Sequence, residues 1–230
     1  IDDMSKLGWG VVDAKQVKAR KKSTQGFQKH MITFRNPDVI VEGKDGDTVF
    51  PQVILTNSHD GKNAFQFQCG MYRLVCSNGL VIADAEFGKM KIRHMGYDFE
   101  ALRVLMNEMV EELPLTVESM NKFKQTELSI NQKYDLARKA LETRFKALEH
   151  QKIDQTFKID LDKLLAPVRK ADKGNDLWSV FNVVQEKIVE GDFEYISGAK
   201  LRKARKIKNF KQDLEVNQKL FAVAKEFVMV

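Results

Sequence analysis

The sequence predicts an α+β protein: an antiparallel β-meander in the N-terminal half, covered by helices, then a long helix and a helical C-terminal half. Three observations carry this expectation. Short apolar runs broken by turn formers fill residues 27–94. From residue 98 onward apolar residues recur instead at three- and four-residue steps, the period of a helix. Between apolar runs at 72–76 and 80–82 stands Asn78-Gly79, a strong hairpin signal because both residues accept the positive φ of a type I′ turn.

The elements follow in order. Leu7, Trp9, Val11 and Val12 form an ordered N-terminal patch that leads through a basic run into a loop or strand edge. A strand at 27–34, with Phe27, Ile32 and Phe34, ends at Asn36-Pro37-Asp38, since proline removes a ladder donor. A short strand at 39–41 and a turn at Gly43-Lys44-Asp45-Gly46 lead to a strand at 49–56. Asn57-Ser58-His59-Asp60-Gly61 is dense in turn formers and should close a hairpin onto a long strand at 64–76. In that strand the apolar set shifts from Phe65, Phe67 and Cys69 to Tyr72, Leu74 and Cys76, which predicts a β-bulge at Gly70. Strands at 80–85 and 90–94 would complete a meander of about five or six strands, an ordinary sheet size.

Asp98 is a candidate cap for a covering helix with the stripe Phe99, Leu102, Leu105, Met106, Met109 and Leu113, ended by Pro114. A long helix over 116–148 follows, marked by Met120, Phe123, Ile130, Tyr134, Ala137, Leu141 and Leu148, with Glu127 and Arg144 interrupting the stripe. It should lie on another helix or on a partner subunit. Residues 153–159 read as strand or connector, and 160–170 as a short helix. Asp176 caps the next helix, whose stripe is Leu177, Phe181, Val184 and Ile188 and whose stop is Gly191. Leu214, Asn217, Leu220, Phe221, Ala224 and Phe227 mark the last one. Two parts are expected: 1–114, the sheet with its covering helix, and 115–230, a helical extension packing on the sheet or a partner subunit.

Of the 230 residues, 43% are hydrophobic, enough for a core, while 30% are charged and no apolar run approaches the roughly 18 residues that span a bilayer. Ile1-Asp2-Asp3-Met4 lacks the layout of a secretory signal, so a cytoplasmic location with no membrane partner is expected. Cys69 and Cys76, seven apart on one strand, are too distant for a disulfide and read as buried free thiols.

Little in the sequence points to catalysis. His59, Asp60, Cys69 and Cys76 lack the close pairing of zinc ligands, so neither metal nor cofactor is expected. Cys76 and Ser77 sit at a turn without a nucleophile elbow, and nothing in the spacing assigns His30 or His94 as their base. Glu111-Glu112 and the pair Asp84 and Glu86 read as solvated surface, and Gly8-Trp9-Gly10 lacks the third glycine of a phosphate loop.

Charge is more informative. The formal net charge is +6, and two stretches are free of acids. One lies between Ala14 and Asn36 and contains Lys18, Arg20, Lys21 and Lys22; the other contains Lys200, Arg202, Lys203, Arg205, Lys206, Lys208 and Lys211. These eleven are the candidate nucleic-acid-binding residues, suited to phosphate contacts that do not read sequence. Leu201, Ile207 and Phe210 could tie the second block to a core. The competing reading is a solvated helix start or loop balancing Asp192 and Glu194. Arg73 should pair with a buried acid, and Tyr72, Phe65 and Phe67 should pack in the core rather than stack on bases.

Two stretches look familiar. Asn57 through Gly61, with Arg73-Leu74-Val75-Cys76-Ser77-Asn78-Gly79-Leu80, resembles a phage/plasmid-like protein family known only as a domain of unknown function. Leu177-Trp178-Ser179-Val180-Phe181-Asn182, Gln185-Glu186, the run 202–207 and Asn217-Gln218-Lys219-Leu220-Phe221 resemble it too. The resemblance implies a mobile-element origin and a bacterial host, and supplies no activity. The order of a meander and then a helix is also similar to the core of single-strand annealing proteins of the Rad52-like type, which do not require the helical extension. The resulting expectation is a non-enzymatic, homo-oligomeric binder of nucleic acid, single-stranded DNA first. The alternative is an oligomeric structural or interaction protein that binds a host or phage protein.

Overall fold

The computed structural model describes residues 1–16, 30–42, 48–57, 65–73, 90–92, 99–145, 158–197 and 200–228, and the chain divides into two compact units, 1–117 and 118–230. The protein is mixed α and β: an antiparallel sheet dominates the N-terminal half and helices the C-terminal half.

In the first unit a short helix, α1 (Asp2–Lys6), precedes strands β1 (Gly10–Gln16), β2 (His30–Arg35), β3 (Val41–Glu42), β4 (Thr48–Asn57), β5 (Phe65–Arg73) and β6 (Met90–Ile92). They form one antiparallel sheet in the order β1-β2-β4-β5-β6, with β3 paired to the start of β4. Register places Ile32 opposite Leu55 and Phe34 opposite Val53. Met4 and Trp9, with Leu7, pack onto that set and complete a small core. Thr33 and Ile54, the alternate pair, are buried as well, so both faces of the central strands are covered.

One expectation for this unit is refined and one is corrected. Residues 10–16, where the apolar patch was expected to lead on to a loop or strand edge, form an edge strand exposed at every position that begins within the patch, because pairing with β2 organises a stretch whose own alternation is weak. The bulge is not at Gly70: β4 and β5 pair without a register shift from Val49↔Arg73 to Thr56↔Gln66, with Gly70 opposite Gln52. Glycine accepts regular strand geometry as readily as a bulge, so its presence did not decide the register. The irregularity falls instead between Val11 and Asp13. The Asn78-Gly79 hairpin, the strand at 80–85 and the Asp98 cap lie outside the described residues.

Helix α2 (Phe99–Gln125) begins in the first unit and ends in the second, and Pro114 does not stop it. An internal proline costs about 3 kcal/mol, a local penalty that the hydrogen-bonded turns on either side of it outweigh here. Nor is there one helix over 116–148. The break comes at 126–129, where the Thr126 carbonyl accepts from Leu177 N at 2.7 Å and Leu128 N donates to the Asn175 carbonyl at 3.0 Å. Ser129 then opens α3 (Ile130–Arg144) with a reciprocal capping box: its hydroxyl accepts from Gln132 N, and the Gln132 side chain accepts from Ser129 N. Restarting the helix resets its phase, so Leu136, Ala137, Ala140 and Leu141 are buried and Ile130 is exposed.

The rest of the second unit comprises β7 (Lys158–Ile159), α4 (Leu161–Leu165), a 3-10 turn at Lys170–Asp172, α5 (Leu177–Glu190), β8 (Glu194–Ser197), β9 (Lys200–Lys203) and α6 (Phe210–Glu226). Helix α4 is half the expected length because Ala166, which precedes Pro167, is forced to an extended ψ of 115°. Helix α5 is buried almost all round and packs against α3, α4 and α6. Phe123, Phe181 and Phe221 meet there with ring centroids 5.3 to 6.2 Å apart. Asp176 caps α5 by accepting from Ser179 N at 2.9 Å. At the other end Gly191 turns out of the helix at φ 77°, and a Cβ there would lie 2.6 Å from the Arg205 carbonyl oxygen.

One buried polar pair joins α5 to α6. The Gln185 amide, 2% exposed as a residue, donates to Asn217 Oδ1 at 2.7 Å, and fully buried Asn217 donates in turn to the Asp213 carbonyl at 2.9 Å. Replacing Asn217 by Leu strands the Gln185 donor and should cost about 1–3 kcal/mol in urea melts, whereas the Gln185→Leu, Asn217→Leu double variant should recover much of that loss. At Gly191, alanine should cost about 1–2 kcal/mol from the left-handed backbone alone. Asparagine tolerates that backbone better, but its Cβ still meets Arg205. Both Gly191→Ala and Gly191→Asn should therefore lower the melting midpoint measured by circular dichroism.

Candidate nucleic-acid interface

The basic block 200–208 builds two consecutive pieces of structure. Lys200, Leu201, Arg202 and Lys203 form β9, an edge of the antiparallel sheet β7-β8-β9, and pair with Ser197, Ile196, Tyr195 and Glu194 respectively. Tyr195 and Ser197 are half-buried while Glu194 and Ile196 are exposed, the alternation of a strand with one covered face. On the covered side Tyr195 packs against Phe145 at 5.0 Å between ring centroids. All four residues of β9 are exposed.

After β9 the chain becomes a strap across the C-terminal end of α5. Ala204 N donates to the Phe193 carbonyl and Ile207 N to the Val189 carbonyl, both at 2.9 Å. Ala204 and Ile207 are buried and anchor the strap, leaving Arg205, Lys206 and Lys208 exposed. Gly191 lets α5 end directly against this backbone.

Arg144, the last residue of α3, clamps the crossing. Its guanidinium donates to the carbonyls of Ile188 and Arg205 and lies 5.6 Å from the Phe193 ring centre. Burial pushes its pKa below the ordinary arginine value, with Tyr195 acting weakly in the opposite direction. The clamp therefore ties the end of α5 to the strap by bonding one carbonyl that the helix C-terminus leaves unmatched, that of Ile188, and one of the strap, that of Arg205.

Two of the block's cations face carboxylates. Lys206 pairs with Glu190 at 2.7 Å, and Lys203 approaches Asp192 at 3.9 Å, where Lys187 also lies at 3.5 Å. These are largely exposed pairs, worth about 0–1 kcal/mol each. Lys200, Arg202, Arg205 and Lys208 form no ion pair with a carboxylate among the described residues.

The two candidate blocks fall in different units. Lys18, Arg20, Lys21 and Lys22 lie outside the described residues, as do His59 and Cys76 and the side chains of Arg73, Tyr72, Phe65, Phe67 and Cys69. Lys211 is the second residue of α6, and its side chain also lies outside them. Lys15, at the start of the N-terminal block, pairs with Asp13 at 3.2 Å. Among the described residues no three His, Cys, Asp or Glu side chains form a metal-sized cluster, and no helix is long and apolar enough to cross a membrane.

Leu201 was expected to tie the block to a core, but it is 67% exposed; Ala204 and Ile207 are the anchors. The competing reading, a solvated helix start or loop, is replaced over 200–203 by a strand, because pairing with β8 organises a sequence poor in β-formers, while 204–208 is irregular chain. Two contributors were not recognised from the sequence. Lys158, opposite Ile196 on β7, adds a further exposed cation beside the block. Arg144 had a legible signal: a cation replacing an apolar residue in a helical stripe needs a buried acceptor.

Residues 4–221 match the family described as Domain of unknown function (DUF932). Two proteins of Escherichia coli (strain K12) are similar to the chain: UPF0380 protein YfjQ is 28% identical over 236 residues, covering 97% of this chain and 78% of its own length. UPF0380 protein YafZ is 27% identical over 228 residues, again covering 97% of this chain and 78% of its own length. No solved structure matches. With a match that runs from Met4 in α1 to Phe221 in α6, and so takes in both the sheet and the strapped hairpin, this chain belongs to the DUF932 family.

Proposed function

We propose that this protein binds nucleic acid, single-stranded DNA first, as a binder rather than a catalyst, and that the hairpin and strap of the second unit make the phosphate contacts. The observation that carries this reading is a nine-residue segment, 200–208, with six cations and no acid, whose backbone is pinned by buried anchors while its charged ends face water. Four of those cations have no carboxylate partner among the described residues. Charges presented from a fixed backbone contact phosphates without first ordering the chain, which lowers the entropic cost of binding. In this reading the protein serves a phage or plasmid inside a bacterial cell and assembles as a homo-oligomer. Its likeness to Rad52-like annealing proteins remains an analogy of element order.

The pairs Lys206–Glu190 and Lys203–Asp192 favour a second reading, in which the block mainly balances the end of α5 and the protein instead engages a host or phage protein. A pull-down from nuclease-treated host lysate would support it if a protein partner persisted.

Fluorescence polarisation with a labelled oligonucleotide should show binding at about 50 mM salt, with affinity falling linearly on a log–log plot as salt rises. Changing Lys200, Arg202, Arg205 and Lys208 together to Glu should abolish most of that binding. Changing them singly to Gln should reduce the salt slope by roughly 0.7 for each phosphate no longer neutralised. Unchanged affinity and slope in the four-residue variant would remove the proposed interface.

A further inference from the structure

We propose that the outer face of the β7-β8-β9 sheet is a platform for unpaired nucleobases, with Ile196 and Leu201 meeting base faces and the surrounding cations holding the phosphates. The proposal rests on the nucleic-acid reading above and names the part of the site that distinguishes an open strand from a duplex.

Strand register puts Lys158, Ile196 and Leu201 in one row across the three strands. Leu201 is 67% exposed and Ile196 38%. Among the described residues of the second unit, Ile130 and Val168 are the other large apolar side chains exposed, and only Ile196 and Leu201 stand directly opposite each other on paired strands. A lone exposed leucine needs no explanation, but two opposed aliphatic side chains with Lys158 and Lys203 on the same face form a surface with a definable complement. Lys158 closes one end of the row, and Lys203, two residues on from Leu201, lies on the same face, while Lys200 and Arg202, opposite Ser197 and Tyr195, alternate to the other face. Among the strand residues described, the carboxylate on this face belongs to Glu194, opposite Lys203.

An open strand offers what this face lacks: flat apolar surfaces and a phosphate at every nucleotide. A duplex presents phosphates too but keeps its base faces stacked inside, out of reach of Ile196 and Leu201. Residues two apart on a strand are roughly 7 Å apart, so a base resting on Leu201 would bring an adjoining phosphate within reach of Lys203. An anionic lipid surface would also attract the cations, but stable burial there requires a broad apolar face, and this sheet offers two side chains.

The test uses the whole protein, a labelled oligodeoxythymidine and a duplex of equal length. In the Ile196→Thr, Leu201→Thr double variant, whose threonines keep β propensity, far-UV circular dichroism should be unchanged. Affinity for the single strand should fall by up to about tenfold, the lower end of what losing an aromatic stacking contact costs, with duplex affinity and the salt slope unaltered. Separately, the added fluorescence of Leu201→Trp should be quenched by the oligodeoxythymidine and not by the duplex. If the double variant keeps wild-type preference for the single strand, or the wild type binds both forms equally, the platform is refuted while the phosphate interface stands. Absence of binding to either form overturns both. Cosedimentation with phosphatidylserine vesicles, lost in the double variant while DNA affinity is unchanged, would assign the face to a lipid surface instead.

Discussion

The second unit depends on how α5 ends. Gly191 adopts a left-handed backbone and presents no side chain to Arg205, whose carbonyl oxygen lies 2.6 Å from where a Cβ would sit. That absence lets the strap cross the helix terminus at hydrogen-bonding distance, with Ile207 N reaching the Val189 carbonyl at 2.9 Å. The Arg144 guanidinium completes the junction by donating to Ile188 and Arg205. Helix, strap and hairpin are thereby held by backbone groups that would otherwise be left without partners.

The interior around α5 applies the same rule to side chains. A helix buried on nearly every face cannot leave polar atoms unmatched, and its amides find partners: Asn182 donates to the Trp178 carbonyl and Gln185 to Asn217. At the N-terminal end Asp176 caps the helix, and the neighbouring Asn175 and Leu177 bond to the chain at Thr126 and Leu128. The gap between α2 and α3 is therefore shaped by the start of α5 as much as by its own residues.

The cations of the strap serve two purposes that draw on the same charge. A helix C-terminus carries partial negative charge, and Lys187 and Lys206, with Glu190 and Asp192 close by, lie where cations are favoured. Those pairs are exposed and weak, so a phosphate backbone can compete for Lys203 and Lys206 at little cost to the fold. Lys200, Arg202, Arg205 and Lys208 project from the same pinned backbone.

Local signals with a single physical outcome were legible in the sequence. Asp176 and Gly191 bounded α5, the stripe Leu177, Phe181, Val184 and Ile188 is buried, and the apolar series from Leu214 to Ala224 belongs to α6, with Phe227 just past its end. The capping box at Ser129 was equally readable, but a continuous-helix interpretation of the stripe concealed it. The sequence by itself determined the α+β class and the charge of the block 200–208, since both follow from composition and from the spacing of neighbours. Only the tertiary structure decided that this block is an edge strand and a strap, that Leu201 faces water and that Arg144 is a clamp. Strand pairing and the filling of vacant carbonyls depend on residues distant along the chain, whose meeting no local pattern encodes.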